Sequence, residues 1–237
     1  MMKYLQIRDR LLEQLESMAP GEPLAPEREL AAQLGVSRMT LRRALGELVA
    51  AGRAVRRQGA GVFATGPKVA QALAATSFSE EMRRRGLQPG ARTLASDTVA
   101  AGARIGARLE VSPGDEVLRV ERLRLADGAP MAIEILHVPT AVVPGLAGPD
   151  LVDQSFYEVL AAKYDVRIAG GVQTIEPTVT DAQESEALQV PLHSPALLFE
   201  RVSRDQDGRV VEFVRSVYRG DRYRIETTIV PDQATTT

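Results

Sequence analysis

Residues 109–122 of this chain recur 79 residues later without a gap. Leu109-Glu110-Val111 through Val117-Leu118-Arg119-Val120-Glu121-Arg122 is matched by Leu188-Gln189-Val190 through Ala196-Leu197-Leu198-Phe199-Glu200-Arg201. Each copy then passes a turn, Ala126-Asp127-Gly128 or Gln206-Asp207-Gly208, and enters a second β-prone run at 131–138 or 210–218. Asp-Gly between two such runs signals a hairpin, because both residues tolerate the positive φ of a tight turn. A spacing near 80 is too long for a stacked solenoid. The duplication therefore predicts two related halves, each a helix or turn followed by a hairpin, sharing one antiparallel sheet. Helical spacing over 156–164, between the halves, makes the domain α+β.

The first seventy residues have a different pattern. Tyr4, Ile7, Leu11, Leu12, Leu15 and Met18 mark an amphipathic helix that Pro20-Gly21 ends. A short second helix follows Pro26 and runs to Leu34. Gly35 permits a sharp turn, and Ser37 can cap a third helix that reaches about Ala51, with Gly52 as its stop. Leu41, Ala44, Leu45 and Leu48 form the buried stripe of that helix. Arg42 and Arg43 lie off the stripe, and Arg38 and Thr40 sit in the first turn. Two helices across a glycine turn, the second with a basic outer face, form a helix-turn-helix pattern. The start of such a helix enters the major groove, where arginine donates to guanine and hydroxyls meet phosphates. Residues 54–57 and 62–64 are β-prone runs around Gln58-Gly59-Ala60-Gly61, a hairpin whose basic stem suits the DNA backbone. Charge agrees: residues 1–68 carry a net +4, and the remainder a net −6.

Pro26-Glu27-Arg28-Glu29-Leu30-Ala31, Gly35-Val36-Ser37-Arg38-Met39-Thr40, Leu41-Arg42-Arg43-Ala44-Leu45 and Arg57-Gln58-Gly59-Ala60-Gly61-Val62-Phe63 together resemble the GntR family of winged helix-turn-helix regulators. The resemblance covers residues 4–65 and implies DNA contacts from Arg28, Ser37, Arg38, Thr40, Arg42, Gln58 and Gly59. In one departure, Ala25-Pro26 stands where the family has Pro-Ser, so the usual serine cap of the second helix is missing.

Residues 67–76 are expected to link the two domains, with the head at 1–66, the second domain at 77–232 and a disordered tail at 233–237. The run at 79–86 reads as a short helix ending at Gly86, its three arginines forming a solvated face. Alternation along a strand puts Arg122 and Arg124 on one face, and Glu212, Val214, Ser216 and Tyr218 on one face of the last strand. Two inward arginines need anions. Either they pair with acids such as Glu134 and Glu212, or they hold an anionic ligand.

Ser77-Phe78-Ser79-Glu80-Glu81-Met82, Arg122 through Met131, Ser155-Phe156-Tyr157 and Val211-Glu212 through Tyr223 resemble the UTRA effector domain, which defines the HutC subfamily of GntR regulators. The resemblance spans about residues 77–230 and implies a chorismate-lyase-like fold. It carries effector contacts onto Ser79, Arg122, Arg124, Glu134, Ser155, Glu212 and Tyr218. Members that bind sugar phosphates hold the phosphate at the serine and arginine positions. The resemblance thus implies a small anionic effector, such as a phosphorylated amino sugar. It also implies a homodimer on an inverted-repeat operator, repression relieved by the effector, and a cytoplasmic location.

With no cysteine and two histidines, neither thiol chemistry nor a histidine-rich metal site is expected, and no cofactor. No apolar run approaches the ~20 residues of a membrane-spanning helix. An enzyme is the rival reading, since the second domain resembles a lyase fold, but no nucleophile–base pair is recognisable. A constitutive DNA-binding protein with a merely dimerising second domain is the other.

Overall fold

The computed structural model describes residues 2–19, 21–57, 59–65, 69–71 and 76–226. The chain divides into two compact units, Met1–Val69 with Gly220–Arg224, and Ala70–Arg219 with Ile225–Thr237. The segment Gly220–Arg224, expected within the second domain, thus groups with the first.

The first unit contains α1 (Met2–Ser17), α2 (Glu27–Gln33), α3 (Arg38–Ala50), β1 (Ala54–Arg57) and β2 (Gly61–Ala64). Its core joins Ile7, Leu11 and Leu15 of α1 to Leu30 and Ala31 of α2 and to Leu41, Ala44, Leu45 and Leu48 of α3. Full burial of each such leucine stabilises by about 1.5–3 kcal/mol. Pro26 precedes α2 without a side-chain cap, as the missing serine implied, and Glu27 and Glu29 lie in the first turn, where the helix dipole favours acids. Ser37 caps α3, accepting from the Thr40 amide at 3.1 Å. At the other end the Gly52 amide donates to Val49 and the Arg53 amide to Leu48. Gly52 has φ +69, the left-handed conformation this helix ending requires.

β3 (Val69–Gln71) and β10 (Tyr223–Ile225) pair as a separate ribbon. Part of the expected linker is therefore a strand; 66–68 and 72–75 lie outside the described residues, as does the expected tail.

The second unit is a six-stranded sheet of order β4-β5-β6-β9-β8-β7, every neighbouring pair antiparallel. Its parts are α4 (Phe78–Arg84), β4 (Pro89–Ala100), α5 (Gly102–Leu109), β5 (Glu116–Ala126), β6 (Ala129–Pro139), a 3₁₀ turn (Gly148–Leu151), α6 (Phe156–Tyr164), β7 (Ile168–Val179), α7 (Ala182–Leu188), β8 (Pro195–Asp205) and β9 (Val210–Arg219). The duplication is complete: β4 and β5 map onto β7 and β8 at 79 residues, α5 onto α7, and α4 onto α6. The β5–β6 turn has positive φ at both Asp127 and Gly128, the two-residue type the Asp-Gly pair predicts. The β8–β9 turn is longer, and Asp205 organises it by accepting from the amides of Asp207 and Arg209.

Alternation along the strands sends Leu118, Val120, Leu136 and Val138 to one face, against Phe156, Val159 and Leu160 of α6. Val117 and Phe213 meet Leu109 of α5 on the opposite face, where Leu123 and Ile133 meet Leu188 of α7.

His137 of β6 stacks on Phe213, with ring centroids 6.0 Å apart. Burial, helped by the charge of Arg119, lowers its pKa from 6.5 to about 4. The unfolded chain binds this proton below about 6.5 and the folded chain only below about 4, so folding stability falls as pH drops through that interval. Denaturant titrations from pH 7 to 4 are expected to show this loss, and His137→Phe to flatten it.

Candidate functional site

In the first unit Arg38 opens α3 and is exposed, with no side-chain partner among the described residues. Arg28 is likewise exposed. The Ser37 hydroxyl is 2.9 Å from that of Thr40, so both sit at the helix start beside Arg38. Arg42 is tied down: its Nε donates to Glu27 at 2.8 Å, while Arg56 reaches the same carboxylate at 3.3 Å. Arg57 lies over the Phe63 ring at 4.5 Å. Gly59 is exposed at the hairpin tip with φ +73, and Gln58 lies outside the described residues. The clamp by Glu27 was not anticipated from the sequence.

In the second unit two small cavities share Phe78, Glu134, Arg201 and Val214 as walls. The first is also lined by Glu81 and Tyr218, the second by Arg122, Arg124, Ser155, Tyr157 and Glu212. Six of the seven residues expected here thus line one cavity or the other. Ser79 lines neither, but accepts from Arg124 Nη2 at 3.0 Å.

The two arginines that share a face behave differently. Arg122 donates to Glu134 through Nε at 2.9 Å and through Nη2, forming a buried ion pair. Burial alone would raise Glu134, yet the charges of Arg122 and Arg124 hold its carboxyl below the usual range. Arg124 is 2% exposed and, among the described residues, bonds the Ser79 hydroxyl alone, with the face of Phe78 4.6 Å away. Among the described residues its Nε and Nη1 have no hydrogen-bond partner, nor have Arg122 Nη1 and Arg201 Nε. Burial first, and the neighbouring Arg122 second, bring the Arg124 pKa down to about 10. A buried cation with two idle donors is a strong attraction for an anion.

Glu212 does not serve either arginine. Its Oε1 accepts from Tyr157 at 2.7 Å, from Ser203 at 2.7 Å and from Arg201 at 3.4 Å. Arg201, Tyr157 and Ser203 were missed in the sequence. The repeat held the signal for Arg201, which stands 79 residues after Arg122. Arg83 and Arg84 of α4 are exposed as expected, Arg83 pairing with Glu158 at the surface, whereas Arg85 is half-buried and pairs with Glu81 at 2.6 Å. Glu81 is itself only 2% exposed.

A winged helix-turn-helix head and an α+β domain enclosing an arginine-lined cavity, on one chain, make up a transcriptional regulator with its own small-molecule sensor. The model described as bacterial regulatory proteins, gntR family, matches residues 3–64, and that of the UTRA domain matches residues 84–224. The chain belongs to the GntR family, in the HutC subfamily that carries a UTRA domain. It is 36% identical to the HTH-type transcriptional repressor NagR of Bacillus subtilis, over 93% of this chain and 91% of NagR. It is 30% identical to the histidine utilization repressor of Pseudomonas putida, over 94% and 90%. Among solved structures, that of PhnF from Mycobacterium smegmatis superposes with a TM-score of 0.66 at 32% identity, covering 95% of this chain and 99% of PhnF. These relatives are regulators, and so is this chain; it is not an enzyme. Among the described residues no helix is long and apolar enough to cross a membrane.

Proposed function

We propose that this chain represses transcription as a homodimer on an inverted-repeat operator, and that an anionic small molecule, a phosphomonoester such as a phosphorylated amino sugar, releases it. In this reading Arg38, with Arg28, Ser37, Thr40 and Arg42, docks α3 in the major groove, and Gln58 and Gly59 at the wing tip follow the backbone. Ser79, Arg122, Arg124 and Ser155 hold the anion, while Glu134, Glu212 and Tyr218 face the rest of the effector. The observation that carries the effector half is Arg124, buried without a carboxylate and with two donors idle. The operator half is supported by the exposed Arg38 at the start of α3 and by the repressors named among the relatives.

Full-length protein melted with glucosamine 6-phosphate, glucosamine or neither tests the effector class. At about a hundredfold excess over Kd, binding adds roughly 2.7 kcal/mol, or ~5–10 °C in Tm. The phosphomonoester is expected to raise Tm and the unphosphorylated sugar to leave it unchanged. Equal stabilisation by the two would remove the anion from the reading.

A further inference from the structure

The first turns of α3 have fewer groups at liberty than their sequence suggests. The hydroxyls of Ser37 and Thr40 lie 2.9 Å apart, and Ser37 also caps the helix by accepting from the Thr40 amide. Arg42 is held by Glu27, and Arg43 lies over the Tyr4 ring at 4.8 Å. Arg38 and Met39 open the helix beside them, and both are exposed.

Met39 is 77% exposed, the most of any large apolar side chain among the described residues. Its place on the helix accounts for that. At about 3.6 residues per turn, Met39 stands opposite the middle of the buried stripe of Leu41, Ala44, Leu45 and Leu48. Gly46, seven residues on, falls on the same outward line, and a Cβ added there would meet nothing within 4 Å. Met39 is therefore the one side chain that projects from this line, with Arg38 and Arg42 to one side of it and Arg43 to the other. An apolar knob framed by cations suits a polyanion that carries an apolar spot. The major groove of DNA has one such spot, the C5-methyl of thymine.

We infer that Met39 is a second base-reading residue, and that it selects a thymine near the base that Arg38 reads by packing its thioether end on the C5-methyl group. This rests on the reading that α3 docks in the major groove, and it adds a determinant of a different kind. Arg38 selects by hydrogen bonds, Met39 by apolar contact alone. The unbranched, polarizable methionine side chain adapts to a methyl group without demanding one fixed geometry.

Full-length protein tests this on a duplex that it selects from random-sequence DNA, and on copies with deoxyuridine in place of thymidine at one position of each half-site. Uracil pairs as thymine does and lacks only the methyl group. At one position the wild type is expected to bind the uracil copy more weakly, by about fourfold per half-site and about fifteenfold for two, the worth of one buried methyl group each. Met39→Ala is expected to keep its Tm, to lose a similar factor on the thymine duplex, and to bind the thymine and uracil copies alike. If the wild type pays no uracil penalty at any position, or Met39→Ala pays the same penalty, the inference is wrong. A loss of discrimination in Arg38→Ala then still keeps α3 in the groove. If no sequence is enriched, or if Arg38→Ala and Met39→Ala both bind the selected duplex as the wild type does, the docking of α3 falls as well.

Discussion

Arg124→Met is expected to leave a folded protein of equal or higher Tm that no longer responds to the effector. Among the described residues Arg124 has no carboxylate partner, and its hydrogen bond is to Ser79. Burying that charge already costs stability, as its lowered pKa of about 10 reflects. An apolar side chain of similar length removes the cost. The loss falls on the bound state, where charge-assisted bonds to an anion disappear; at about 2–4 kcal/mol this is roughly a 30- to 1,000-fold rise in Kd. Arg122→Met is the contrast. It strands the buried Glu134 carboxylate, so it should destabilise the fold by about 3–5 kcal/mol. Melting curves of both variants, with and without glucosamine 6-phosphate, check the pair. A lower Tm for Arg124→Met with an intact effector shift would assign Arg124 to structure alone.

The second large effect is expected at the other unit. Arg38→Ala should cost about 1–3 kcal/mol of discrimination between operator and scrambled DNA, the worth of one bidentate base contact. Folding should be untouched, since Arg38 is exposed and makes no bond that α3 needs. Competition binding with the two DNAs at fixed salt measures it. Equal losses on both would make Arg38 a phosphate contact rather than a base reader.

The duplication and the caps made much of this legible from sequence. Ser37, Gly52 and the Asp127-Gly128 turn each act through local chemistry, so reading them needs no tertiary knowledge. The outer strands β4 and β7 were not foreseen. They are edges with mostly exposed or half-exposed side chains, so apolar alternation is faint, and Pro89-Gly90, Gly170-Gly171 and Pro177 look like turn residues. In the cavity, strand parity showed that Arg122 and Arg124 share a face but not which of them has an acid. That depends on register, which sets Arg122 against Glu134 and Arg124 against Ala132. Tyr157 was quoted with its motif but given no role, because it lies in the first turn of α6, whose apolar spacing reads as core.

Glu27 has a consequence for how the head meets a polyanion. One carboxylate holds two guanidiniums, Arg42 and Arg56, so the three groups together bring a single net positive charge. Affinity for a duplex rises with the sodium ions the protein sets free, and that number follows net charge at the docking face. In the docking proposed for α3, the head is therefore expected to cling less to arbitrary sequence than its arginine content suggests. A regulator of modest valence spends less time on the rest of the chromosome and more time searching.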